Sequence, residues 1–192
     1  MRVILKSIFH FLVIIVYRPK VTGKENIPKE GACIICPNHL HALDSAVILT
    51  TQKRQVFFMA KEVLFKNAFI KWLAKIFGIF PVRREGKDIE AIKTSLRILK
   101  KGNILAMFPE GTRNGLAKGI KPKSGAILIA AKAGVPIIPC GVKGSFKPFT
   151  KVTLNYGKPI IIDKDADLSN KEILEKLTTD MMNEIIRLSK IE

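Results

Sequence analysis

Beyond residue 19 the chain alternates short apolar runs with longer stretches of helical spacing, and that alternation leaves few architectures open. Residues 32–36, 56–59 and 104–108 are apolar runs of strand length, the first stopped by Pro37. A fourth run, 135–142, carries Pro136 and Pro139, and residues 151–156 alternate with period two. Helical patterns lie between and after these runs, at 43–52, 62–77, 87–101, 123–133 and 170–189. The last opens with Ser169-x-x-Glu172 as a capping box, and the fourth ends at Gly134. Strand–helix alternation predicts an α/β fold, a mostly parallel central sheet flanked by helices. The two prolines put run 135–142 at an edge or a strand end, because proline cannot donate to a ladder. No repeat and no long linker divides residues 19–192, which read as one domain.

Residues 3–17 are the most apolar stretch. As a helix they would be about 22 Å long at ~1.5 Å per residue, short of the ~30 Å hydrocarbon core. Arg2, Lys6 and His10, at i, i+4 and i+8, form a polar stripe on the first half. No small-residue cleavage site follows; Arg18-Pro19-Lys20 does. Residues 1–18 therefore read as an interfacial helix entering one leaflet, with cationic flanks at the headgroups. The alternative is a terminal helix that covers the core. A second amphipathic candidate is 62–77, where Phe65, Phe69, Trp72, Leu73 and Ile76 share one face and Lys66, Lys71 and Lys75 the opposite half. It is either a core-packing helix with a solvated lysine face or one that lies on a membrane.

Charge narrows the partners. The 192 residues hold 33 Lys+Arg against 16 Asp+Glu, a net +17, which draws the chain to polyanions. Nucleic acid fits less well than an anionic membrane surface, since aromatics are only 7% and no RNA-binding signature is present. Three cysteines are too few for a disulfide scaffold and suit a reducing, cytosol-facing environment. Cys33-Ile34-Ile35-Cys36 has redox or metal spacing, but on a strand positions three apart face opposite sides, so core packing is the expectation.

Four blocks carry candidate chemistry. In Asn38-His39-Leu40-His41-Ala42-Leu43-Asp44, a turn at His39 with Asp44 in the first helical turn would set a carboxylate against one imidazole nitrogen. The other nitrogen would then be free to take a proton from a hydroxyl. A structural His–Asp pair, or a weak His-x-His metal partner, is also open. Phe108-Pro109-Glu110-Gly111-Thr112-Arg113 follows an apolar strand, where α/β sheets bind ligands. There Arg113 offers a fork for phosphate and Glu110 an acceptor for hydroxyls; a polar surface turn is the alternative. Gly78-Ile79-Phe80-Pro81-Val82-Arg83-Arg84 offers a further phosphate contact in Arg83 or Arg84, or simply solvated charge. Val135-Pro136-Ile137-Ile138-Pro139 reads as a shaped apolar wall.

Together, in this order and with Lys61 opening the second block, they resemble the glycerolipid acyltransferase family over about residues 20–160, in particular its 1-acylglycerol-3-phosphate (lysophosphatidic acid) branch. The resemblance implies the glycerolipid acyltransferase fold and transfer of a fatty acyl group from a thioester, acyl-CoA or acyl carrier protein, to the sn-2 hydroxyl of lysophosphatidic acid, giving phosphatidic acid. It implies His39 as general base and Asp44 as its orienting carboxylate. Arg83 and Arg113 would hold the acceptor phosphate, with Lys61 as a further basic residue. Glu110, Gly111 and Thr112 would position the glycerol part, and Asn38 would shape the turn. No metal or bound cofactor is implied. A lipid acceptor places the chain on the cytoplasmic face of the cell membrane, as a monotopic protein. The competing readings are acylation of glycerol-3-phosphate or another lysophospholipid and, in a different class, a non-catalytic basic protein that binds lipid or nucleic acid.

Overall fold

The computed structural model describes residues 2–83, 88–163 and 165–191. Among these, the strands are β1 (Lys20–Thr22), β2 (Cys33–Pro37), β3 (Val56–Lys61), β4 (Ile79–Val82), β5 (Ile104–Ala106), β6 (Ile137–Lys143) and β7 (Thr153–Tyr156). The helices are α1 (Arg2–Tyr17), α2 (Asp44–Thr51), α3 (Ala68–Phe77), α4 (Ile89–Lys100), α5 (Gly125–Ala133) and α6 (Lys171–Ser189). The strands form one sheet in the order β1-β7-β6-β2-β5-β3-β4, parallel throughout except for the β6–β7 pair. This is the expected mostly parallel sheet.

Strand β2 is central, and all five of its residues are buried, which is why it reads as an unbroken apolar run. Cys33 and Ile35 face a core shared with Val13 of α1 and with Val47 and Ile48 of α2. Ile34 and Cys36 face the other, shared with Leu99 of α4, Ile127 of α5, and Met181 and Ile185 of α6. The two cysteines thus point to opposite sides. Full burial of side chains such as Ile34, Ile35 and Ile138 stabilises the sheet by roughly 1.5–3 kcal/mol each.

Three local expectations are revised. Strand β6 lies inside the sheet, between β2 and β7, despite Pro139. The amide that proline lacks would face the side where the Pro139 carbonyl accepts from Gly157, between the Ile137–Ile160 bridge and the first β6–β7 pair at Cys140 and Tyr156. The ladder is interrupted there, so little is lost. The stretch 62–77 is two elements, a 3-10 turn (Glu62–Lys66) and α3, because the Asn67 side chain accepts from the amides of Phe69 and Ile70 and starts a new helix. Phe69 and Trp72 consequently stand exposed, while Ile76 is buried. Helix α6 is capped by Asn170, which accepts from Glu172 and Ile173, and not by Ser169, whose hydroxyl bonds to Asp167.

Helix α1 lies against α2 and α3. Phe9, Val13 and Tyr17, one helical turn apart, pack on the core. Ile4, Ile8, Phe11, Leu12 and Ile15 remain exposed on the outer arc. Lys6 turns inward, its Nζ donating to Gln55 Oε1 at 2.5 Å. No helix among the described residues is long and apolar enough to cross a membrane.

Candidate active site

The site begins where β2 runs out of ladder. Past the last pair, Pro37 with Cys140, the buried Asn38 side chain imitates one more rung: its Nδ2 donates to the Val142 carbonyl at 3.0 Å and its Oδ1 accepts from the Val142 amide at 2.6 Å. This anchors the chain just before it turns. Asp44, the first residue of α2, then gathers the turn onto one carboxylate oxygen. Its Oδ2 accepts from His39 Nδ1 at 2.8 Å, from the Leu40 amide at 2.8 Å and from the His41 amide at 2.9 Å. A carboxylate only accepts, so Nδ1 carries a proton, and in the neutral imidazole the lone pair is on Nε2. Asp44 is fully buried and the His39 side chain 15% exposed, so the imidazole faces outward from a dry support. Phe108 stacks on the imidazole, with ring centroids 4.1 Å apart.

Glu110 is bound into the scaffold from the opposite side. It is 3% exposed; Oε1 accepts from the His39 amide at 2.7 Å and Oε2 from the Leu116 amide at 3.0 Å. The Asn114 amide in turn donates to the His39 carbonyl at 2.7 Å. Both peptide groups of His39 are therefore tied to the segment 110–116. The expected Glu110 contact is a hydroxyl; the geometry shows two backbone amides. Gly111 permits the turn, at φ 67, and a Cβ there would lie 3.0 Å from Lys123 Cε, so the lysine side chain would have to shift.

Gly111 and Thr112 are half-exposed and Arg113 is exposed, all on the same loop as Glu110. Lys61 ends β3 and Arg83 follows β4, both exposed at the same edge of the sheet. In the order β2-β5-β3-β4 they stand two and three strands from β2, about 10 and 14 Å at ~4.8 Å per strand. The Arg83 amide donates to Asp88 Oδ2 at 2.6 Å. That bond, with a second from the Ala91 amide, holds the Asp88 carboxyl below its usual range. Arg84 lies outside the described residues. His41 Nδ1 accepts from the Leu43 amide at 3.3 Å and its ring stacks on Phe146, so this ring is part of the loop packing.

Two residues went unassigned in the sequence. Phe108 stood inside a motif without a role, and Lys123 was only the start of a helical pattern. Nothing in the spacing ties position 123 to Gly111. Beside Leu43, an apolar cavity of about 280 Å³ opens between α1, α2 and α3, with Ala46, Leu49, Phe58, Leu73 and Phe77 in its wall. It is suited to hydrocarbon.

None of the three cysteines serves as a nucleophile in this arrangement. All are buried and free. Burial pushes the Cys33 thiol up to about 11 and raises Cys36 and Cys140 further. Native protein at pH 8 should therefore resist a thiol-reactive dye that titrates all three once the chain is denatured; rapid labelling of the native form would contradict the burial. The same shifts, with the buried Tyr156 also raised, fix a sign for stability. Groups whose folded pKa is raised contribute fully below their unfolded values. The contribution is lost as pH climbs from the ordinary cysteine and tyrosine range, about 8.5–10, toward the folded values. Urea midpoints should fall between pH 7.5 and 10.

A His–Asp pair stands at the carboxyl edge of a mostly parallel sheet, next to a basic loop and an apolar cavity, and the chain belongs to the acyltransferase family, whose model matches residues 18–143. It is 33% identical over 166 residues to the 1-acyl-sn-glycerol-3-phosphate acyltransferase of Bacillus subtilis (strain 168), covering 83% of this chain and 82% of that protein. It is 36% identical over 170 residues to the enzyme of that name from Streptococcus pneumoniae (strain ATCC BAA-255 / R6), covering 84% of this chain and 61% of the relative. Among solved structures, the 1-acyl-sn-glycerophosphate (LPA) acyltransferase PlsC from Thermotoga maritima superposes with a TM-score of 0.72 at 26% identity, over 100% of this chain and 82% of that one.

Proposed function

We propose that this acyltransferase moves a fatty acyl group from an acyl thioester to the sn-2 hydroxyl of 1-acylglycerol-3-phosphate, giving phosphatidic acid for phospholipid synthesis. The observation that carries the mechanism is the free Nε2 of a His39 whose other nitrogen is held by buried Asp44. In this reading Nε2 takes the proton of the acceptor hydroxyl as its oxygen attacks the thioester carbonyl. The new C–O bond forms, the C–S bond breaks, and the imidazolium returns the proton to the departing thiolate. A thioester is already activated, so no covalent enzyme intermediate is needed. The base supplies roughly 10²–10⁴ in rate. Asp44 fixes the tautomer and stabilises the imidazolium.

Arg113, with Arg83 and Lys61 along the same sheet edge, holds the acceptor phosphate, while Gly111 and Thr112 border the glycerol. Glu110 serves as a positioning residue through the His39 amide. The cavity beside Leu43 takes an acyl chain. Acyl-CoA or acyl carrier protein is the donor, and the +17 charge suits either of these polyanions as well as an anionic membrane. The outer arc of α1, from Ile4 to Ile15, enters one leaflet from the cytoplasmic face, and the protein is monotopic.

The direct test is formation of phosphatidic acid from lysophosphatidic acid in mixed micelles, with each donor supplied in turn. Product with one donor supports the reading. Product only when glycerol-3-phosphate or another lysophospholipid replaces the acceptor would reassign the substrate. Arg113→Ala should raise KM for lysophosphatidic acid at least tenfold while kcat changes by less than about threefold, since the lost contact is one of binding. An unchanged KM would remove Arg113 from the phosphate site.

A further inference from the structure

The end of α2 remote from Asp44 borders a second concavity, an open cleft of about 660 Å³ between the C-terminal half of α1, the start of β1 and the end of α2. Helix α2 has eight residues, so the cleft and the dyad are separated by about 12 Å of helix. His10, Arg18, Lys24 and Lys53 line it, and among the described residues no carboxylate does. Lys24 is already used: its Nζ donates to the Thr51 carbonyl at 2.5 Å and so covers the negative end of α2. Arg18 and Lys53 are exposed, and neither makes an ion pair among the described residues. Arg18 also sits at φ 38, in the left-handed region where a helix C-terminus normally places glycine. Here the position is an arginine, and the cleft receives its charge. Ile14 lines the same cleft and is exposed, next to Phe11 and Ile15 on the outer arc of α1.

We propose that this cleft binds the phosphate of an anionic phospholipid, as a headgroup site separate from the His39 centre. The cations stand at the border of the apolar arc, where lipid phosphates lie once that arc is among the acyl chains. Arg18 presents a planar fork to two phosphate oxygens, and Lys53 adds a point charge. The inference rests on the reading that the outer arc of α1 enters a leaflet.

The test is flotation of the full chain with vesicles of phosphatidylcholine, alone or with about one-fifth phosphatidylglycerol, a phosphodiester lipid that is not an acceptor in the proposed reaction. Wild type should bind the anionic vesicles more tightly than the neutral ones. R18G/K53A, in which glycine relieves the left-handed backbone, should lose about tenfold on anionic vesicles and nothing on neutral ones. K171A/K176A removes the same charge from α6 on the opposite face of the sheet, and should lose less than about threefold. Equal losses in the two pairs would reduce the effect to net charge and overturn the site, as would no loss in R18G/K53A. Lys53→Ala alone serves if the double variant melts early, and should show about half the effect on a logarithmic scale. Millimolar inorganic phosphate that displaced the protein from anionic vesicles but not from neutral ones, at constant ionic strength, would mark the cleft as a soluble-anion site. Failure of wild type to float with either vesicle would sink the leaflet reading and the cleft together. Flotation with both, without preference, would sink the cleft alone.

Discussion

Asp44→Asn should leave the protein folded and lower kcat for acyl transfer by about 10³-fold. Asparagine can keep its carbonyl oxygen where Oδ2 now collects His39 Nδ1 and the amides of Leu40 and His41. Its NH₂ then takes the place of Oδ1, a buried atom with no hydrogen-bond partner. The added donor is left unsatisfied, at about 1–3 kcal/mol of stability. The larger effect is on the imidazolium, which loses the charge that stabilises it during proton transfer. His39→Ala should fall to a similar residual rate, and the double variant scarcely further, because the pair acts as a unit. Single-turnover rates, with circular dichroism to verify folding, decide it. A variant retaining a tenth of wild-type kcat would show that the dyad is structural.

Gly141→Ala is expected to destabilise the fold by at least about 3 kcal/mol, an unusually large effect for a single methyl group. A Cβ at this position on β6 would come within 2.2 Å of the Leu188 carbonyl carbon and 2.3 Å of the Ser189 nitrogen, which are backbone atoms that no rotamer change can move. The end of α6 is held there by Asn155, whose Nδ2 donates to the Leu188 carbonyl at 2.9 Å. Either α6 lifts or β6 shifts. The neighbouring Val142 carries both hydrogen bonds to Asn38, so the strain passes to the residue before the base. The urea midpoint should drop with little change in m-value, and kcat should fall more than KM changes. A midpoint within the error of wild type would mean that α6 has slack at its end.

The architecture was legible where burial on both faces leaves an unbroken apolar run, as in β2 and β5, and where helical spacing is sustained, as in α4 and α6. The order of the strands was not. The placement of β5 between β2 and β3, and of β6 on the far side of β2, comes from contacts between distant segments that no local pattern encodes. β1 carries no strand signal because it has three residues, two of them polar. Asn67 starts α3 in the structure, but the apolar face running through it favours one continuous helix. At the site, His39 and Asp44 are five residues apart and could be paired on paper. The bonds that hold the base in place, from His39 to Glu110 and from Asn38 to Val142, span 71 and 104 residues. Chemistry written within one turn can be found in a sequence. Its support, assembled from segments distant in the chain, needs the fold.

The Glu110 carboxylate has a consequence for acceptor choice. By gripping the amides of His39 and Leu116 it makes the base and the arginine-bearing loop parts of one stiff frame. If Arg113 holds the phosphate and Nε2 the hydroxyl, as proposed, the frame acts as a caliper with its jaws fixed. The span between a phosphate and a reactive hydroxyl becomes the quantity measured, and an acceptor lengthened by one methylene between them would be gripped at one jaw and miss the other.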